Sequence, residues 1–130
     1  DAGLIAGDMV AGIGTILIPS DTGNMEVYIE QLERLKNMNP NLVFPSHGPI
    51  IPLPQKKFNF YIKHREARNE KIINAICTGA EKIDEISKIA YEDSPNAHPG
   101  LALDQTRSHL LSLERQGIVS QGSYSWTLLS

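Results

Sequence analysis

Three apolar runs in this 130-residue sequence are only three residues long, and each is stopped at once by glycine or proline: Leu4 to Ala6 before Gly7, Ile16 to Ile18 before Pro19, and Leu42 to Phe44 before Pro45. Runs this short, closed by turn formers, read as buried strands of a layered structure. Helical spacing follows them. Met25, Ile29, Leu32, Leu35 and Met38 recur on one face, with Asn24 as a suitable N-cap and Pro40 beyond the end. Phe58, Ile62, Ile72, Ile73 and Ile76 mark a second, long helix from Gln55 to Cys77, stopped by Gly79. The segments Met9 to Thr15 and His47-Gly48-Pro49 read as loops, and Pro52 and Pro54 bracket a turn.

After Gly79 the texture changes. Ile83, Ile86, Ile89 and Ala90 mark a short helix, and a loop follows from Ser94 to Gly100. Leu101 to Gln116 reads as a helix with Leu103, Leu110, Leu111 and Leu113 inward, stopped by Gly117. Ile118-Val119 and Trp126-Thr127-Leu128 are two strands around a polar turn. Helix, loop, helix and hairpin is the order of a winged-helix unit lacking one clear middle helix. A domain boundary near Gly79 is expected.

Composition narrows the function classes. The chain carries 12 basic and 15 acidic residues, so its overall charge gives no reason to expect nucleic-acid binding. Residues 1–79 balance at eight of each sign, and residues 80–130 hold four basic against seven acidic. The net charge of −3 therefore lies wholly in the tail. Its one cysteine, Cys77, rules out an internal disulfide framework and any Cys₄ or Cys₂His₂ zinc site, and it suits a reducing, cytoplasmic setting. No apolar stretch approaches the ~18 residues of a membrane helix, and no basic segment precedes the first apolar run as in a signal peptide. The sequence starts without methionine, one residue into what reads as a strand, so a piece of a longer protein is expected.

Two chemistry-bearing residues follow short strands: Asp8 after Leu-Ile-Ala-Gly, and His47 after Val-Phe-Pro-Ser. Active-site side chains of layered folds tend to sit just past strand ends, where the backbone is fixed and the loop exposed. A carboxylate and an imidazole are both good ligands for zinc, manganese or iron. By spacing alone they read first as a turn former and a solvated loop residue.

A longer pattern carries a resemblance. Gly7-Asp8-Met9-Val10-Ala11-Gly12, then Gly23-Asn24-Met25 with Tyr28, Leu32, Glu33, Arg34 and Leu35, then Phe44-Pro45-Ser46-His47-Gly48-Pro49, then Tyr61, His64-Arg65, Arg68 and Glu70 occur in order. Ala102, Ser108-His109-Leu110, Leu113-Glu114 and Gly117 extend it into the tail. This resembles the C-terminal part of a metallo-beta-lactamase-fold hydrolase, in the subgroup of the beta-lactamase-like protein 2 endoribonucleases and their bacterial relatives. The resemblance implies an α+β chain. It would comprise the C-terminal half of an αββα sandwich with its long linking helix (1–79), then a small winged-helix domain (80–130).

It also implies that Asp8 bridges two metal ions, zinc by family expectation, as a catalytic and metal-binding residue, and that His47 is a terminal ligand of the second ion. Gly7 and Gly48 would let the backbone pass close to the ions. Asn24 stands where relatives often have Asp, and Ser46 where many have Gly. The family's His-x-His-x-Asp-His run and its further isolated histidine are absent, since the four histidines are His47, His64, His98 and His109. Two ligands fall short of a dinuclear site. The chain is expected to be inactive alone, as part of a hydrolase acting on an ester, thioester or phosphodiester, RNA included. The missing N-terminal half would be its partner. Uncovered strands would favour self-association. A winged-helix module binding nucleic acid or protein is the alternative.

His64, Arg65 and Arg68 have two readings: substrate contact or docking of the trailing domain, and a polar network with acids such as Glu66 or Glu70. Cys77 is expected to pack as a small residue. Tyr124 and Trp126 are either a stacking platform or the closure of a small core.

Overall fold

A computed structural model of the protein describes residues 4–7, 18, 20, 23–38, 43–45 and 54–129. Its elements run β1 (Leu4–Gly7), α1 (Met25–Asn37), β2 (Val43–Pro45), α2 (Pro54–Cys77), α3 (Ile83–Ala90), α4 (Pro99–Arg115), β3 (Val119–Gln121) and β4 (Trp126–Leu128). Contacts divide the chain into two units: Asp1–Leu17 with Glu26–Arg65, and Ile18–Met25 with Glu66–Ser130. The last turns of α2 thus group with the tail.

In the first unit β1 and β2 pair in parallel, Leu4 with Val43, Ile5 with Phe44 and Gly7 with Pro45, the register shifting between Ile5 and Gly7. Parallel neighbours need a crossover, and α1 supplies it in sequence. Glu26 in its first turn and Arg34 and Lys36 in its last complement the helix dipole. Tyr28 and Leu32 are buried and belong to this unit, as do Phe58, Tyr61 and Ile62 of α2. Gln55 near the start of α2 donates from Nε2 to the Lys36 carbonyl at 2.9 Å, satisfying an orphan acceptor at the end of α1. Pro54 opens α2, where a missing N–H costs nothing.

The second unit has the better-defined core: Ile72, Ala75 and Ile76 of α2, Ala80, Ile86 and Ala90, Leu110 and Leu113 of α4, Val119 and Trp126. Two glycines at positive φ end its helices. After α2, Gly79 at φ +110° donates to Ile76 at 3.0 Å and Ala80 to Ala75 at 3.1 Å. After α4, Gly117 at φ +77° donates to Glu114 at 3.0 Å and Ile118 to Leu113 at 2.9 Å. Both are paired-bond C-caps in which the residue after the glycine turns inward. α3 begins with Glu85 accepting the Lys82 N–H at 3.2 Å. α4 begins with His98 Nδ1 accepting the N–H groups of Gly100 at 3.1 Å and Leu101 at 3.4 Å. Strands β3 and β4 form an antiparallel hairpin, and Trp126 donates its backbone N–H to Glu81 at 2.8 Å.

Several expectations are corrected. Ile18 is buried but lies in no strand, because side chain Gln105 takes both of its backbone groups; Ile16 and Leu17 lie outside the described residues. The last helix starts two residues early, at Pro99, since His98 caps it there. Leu103, expected inward, is 38% exposed, and Met38, past the end of α1, is 65% exposed. Polar Gln105, Thr106, Ser108, His109 and Ser112 take much of the buried face of α4 instead. Cys77, expected to pack, is exposed at the last residue of α2. Of the two hairpin aromatics, Trp126 closes the core at 3% exposed and Tyr124 stands 88% exposed. No described helix is long and apolar enough to cross a membrane.

Candidate functional site

The strand pairing matters most for Asp8 and His47. Gly7 pairs with Pro45 in a parallel ladder, so both strands end on the same side. Asp8 follows Gly7 directly, and His47 follows Pro45 by two residues. Asp8 and His47 themselves lie outside the described residues, as do Ser46 and Gly48. Among the described residues, no group of three or more His, Cys, Asp and Glu is placed to hold a metal ion.

The three polar residues of α2 are described, and they fall into different surroundings. Arg65 is 3% exposed, with its guanidinium 5.6 Å from the centre of the Tyr28 ring. Tyr28 is itself buried, and burial pushes its hydroxyl up to about 12 against the opposing pull of the Arg65 charge. His64 is half-buried beside Phe60, the ring centres 6.0 Å apart. Phe60 is half exposed, and Lys57 Nζ lies 5.4 Å from its ring centre.

Arg68 belongs to the second unit and is 8% exposed. It stacks on Tyr91 at 4.0 Å, donates to the Ala90 carbonyl at the end of α3, and donates to Asp93 at 3.0 Å. Lys71 adds a second contact to Asp93 at 3.5 Å. Arg68 therefore pairs with an acid twenty-five residues away rather than with Glu66 or Glu70 on its own helix. The hydrogen bond from Arg68 holds the Asp93 carboxyl below its usual value. A buried guanidinium needs several acceptors, and one helix end plus one carboxylate provides them.

Three polar contacts were not legible in the sequence. Gln105 Nε2 donates to the Ile18 carbonyl at 2.8 Å and its Oε1 accepts the Ile18 N–H at 3.2 Å. The adjacent Asp104 accepts the N–H and hydroxyl of Ser20. His109, fully buried, meets Asn69 of α2 at 2.7 Å through Nδ1. The only available signal was the run of polar residues at helical spacing on α4.

Comparison with known proteins fits this architecture. The chain is 29% identical over 118 residues to a Beta-lactamase-like protein 2 homolog of Drosophila melanogaster, covering 88% of this chain and 39% of that protein. It is 30% identical over 117 residues to a Beta-lactamase-like protein 2 homolog of Caenorhabditis elegans, covering 89% and 38%. The chain thus spans about two fifths of the length of these curated relatives. Among solved structures, a Beta-lactamase domain protein from Burkholderia ambifaria matches with a TM-score of 0.82 at 26% identity, over 99% of this chain and 42% of that one. A metallo-beta-lactamase family protein from Thermus thermophilus matches with a TM-score of 0.78 at 19% identity, over 98% and 42%. No family model matches. The chain is therefore a homologue of beta-lactamase-like protein 2, and its α+β architecture is part of the metallo-beta-lactamase fold.

Proposed function

We propose that this chain is part of a metal-dependent hydrolase and contributes Asp8 and His47 to its metal site. The observation that carries the reading is the parallel pairing of β1 with β2. Neighbouring strands lie about 4.8 Å apart, and chain length keeps the His47 Cα within about 7 Å of Pro45. A carboxylate and an imidazole leaving adjacent strand ends suit a divalent-cation site, and Asp8 and His47 would hold the metal there. The bound metal, zinc by analogy with relatives, would lower the pKa of a water so that hydroxide is available near neutral pH.

Asp8 would serve this role as an anion and His47 as a neutral imidazole. Two ligands do not complete a dinuclear site. The reading therefore requires further ligands from an N-terminal portion of the fold, and assigns the chain no activity alone. The substrate class is an ester, thioester or phosphodiester, RNA included. The test is metal analysis with a phosphodiester and thioester hydrolysis screen on the full-length parent, beside Asp8→Ala and His47→Ala. Loss of about one metal equivalent and of roughly 10²-fold or more activity is expected. Full metal content and activity in Asp8→Ala would refute the assignment.

The tail supports a second reading. The end of α2, then α3, α4 and the β3–β4 hairpin follow the order of a winged-helix domain over residues 80–130. Its seven acidic residues against four basic favour a packing role over nucleic-acid binding, because phosphate contacts dominate affinity in such modules. Anisotropy titration with RNA and DNA at two salt concentrations tests it. Tight, salt-sensitive binding by this chain would reverse that preference.

A further inference from the structure

Within the second unit, α3 and the start of α4 enclose a cleft of about 440 Å³, within the size range of small-molecule sites. Asp84, Lys88, Tyr91 and Glu92 of α3 and its C-terminal turn line one side. Pro99 and Leu103 of α4 line the other, and the loop between supplies Pro95 and Ala97. We propose that this cleft binds a small organic cation, a protonated amine carried on an apolar body. The inference is independent of the metal-site reading, since it involves neither Asp8 nor His47.

Three observations point to this ligand. The lining is largely apolar, and the 38% exposure of Leu103 leaves apolar surface in water at its edge. The cleft is also held in shape beforehand. Arg68 stacks 4.0 Å from the centre of the Tyr91 ring and is itself fixed by Ala90 and Asp93. Arg68 does not line the cleft, so Tyr91 meets a ligand with another part of its surface. The loop is tied by Ser94 donating to Tyr91 and Ala97 donating to Ser94, each at 2.9 Å, and two prolines restrict it further. A pre-formed site spares a ligand the cost of ordering it.

Charge selects the sign. Asp84 lies in the first turn of α3 and Glu92 in the turn just past its C-terminus, with Lys88 of the last turn between them in sequence. The lining thus carries two carboxylates against one ammonium, a net charge of −1 that favours a cation. The neighbouring Asp93 is taken up by Arg68 and Lys71 and does not compete.

The experiment is an amide NMR titration with three probes of one shape: phenethylammonium, 2-phenylethanol and 3-phenylpropionate. Saturable shifts confined to residues 84–103 are expected for phenethylammonium, with a Kd on the order of millimolar for a ligand of about nine heavy atoms. The alcohol should bind several-fold more weakly, and the carboxylate more weakly still. Glu92→Gln should weaken the amine roughly threefold and Lys88→Ala should strengthen it by a similar factor. Ala97→Phe should fill the cleft and abolish binding of all three. Equal or inverted ranking of the probes, shifts centred elsewhere, or no saturable shifts would overturn the proposal. Both charge variants lie at exposed positions, so the ranking stands as a test even if Ala97→Phe does not fold.

Discussion

The side-chain amide of Gln105 closes a ring of two hydrogen bonds on the backbone of Ile18, as a strand partner would, across 87 residues of sequence. Both residues are buried, so neither Ile18 group has water to fall back on. Asp104 extends the grip to Ser20. The segment 18–25 accordingly groups with the tail rather than with β1, which precedes it in sequence.

Gln105→Leu should therefore destabilise the second unit by about 2–4 kcal/mol, because it strands a buried donor and a buried acceptor together. Gln105→Glu keeps the acceptor but sets a buried carboxylate against the Ile18 carbonyl, and should cost at least as much at neutral pH. Urea unfolding followed by the single tryptophan, Trp126, reads this directly, since that side chain sits in the core of this unit. Asp104→Ala combined with Gln105→Leu should be less than additive, as both act on one segment. Additive costs would show that the two residues hold it independently.

Arg68 is buried among three partners, so Arg68→Met should cost about 2–4 kcal/mol and Arg68→Lys about half that. Asp93 adds a pH dependence. Its carboxyl is held below the usual value by Arg68, so its contribution is present above the unfolded value of 3.8 and is lost as pH falls through the lower folded value. Its side chain is 45% exposed, and screening keeps the effect to tenths of a kcal/mol. Asp93→Asn should flatten the acid side of the stability curve below about pH 4. An unchanged slope in that variant would remove Asp93 as its cause.

Tyr28 offers a second titration in the first unit. Its folded pKa of about 12 lies above the ordinary 10.0, so the stability it contributes is present below pH 10 and is lost as pH rises through the folded value. Absorbance titration should show one tyrosine ionising about two pH units late, and Tyr28→Phe should remove that late step. A late step that survives in Tyr28→Phe would assign it to another tyrosine.

His98 caps α4 through Nδ1. His98→Ala should cost about 1 kcal/mol and His98→Asn far less, because asparagine is itself a good cap. Gly100→Ala should also weaken the cap, since its Cβ would stand 3.1 Å from His98 Cε1 and push the ring aside. The urea midpoint at constant m-value checks all three. A His98→Ala midpoint equal to the parent's would remove the cap from the account.

The sequence by itself determined the local elements. The period of α1, the long run of α2 and its stop at Gly79, the stop of α4 at Gly117 and the hairpin are all written in residue spacing and turn chemistry, which act over a few neighbours. Two of the three short strands, at Leu4 to Ala6 and Leu42 to Phe44, were legible for the same reason, while Ile18 proved to lie in none. Tertiary structure decided the rest. Nothing in the period of α4 marks Leu103 as an edge residue or Gln105 as the partner of Ile18, because helical spacing states which residues share a face and not what that face meets. Arg68 likewise had Glu66 and Glu70 two residues away on either side, a spacing that does not face it on a helix, and a buried guanidinium takes the acceptors that burial brings to it, which are Ala90 and Asp93. The parallel register of Gly7 with Pro45 is of the same kind. Two short apolar runs can be read from a sequence, but which strand ends stand side by side is settled by long-range pairing, and the proposed roles of Asp8 and His47 depend on that pairing.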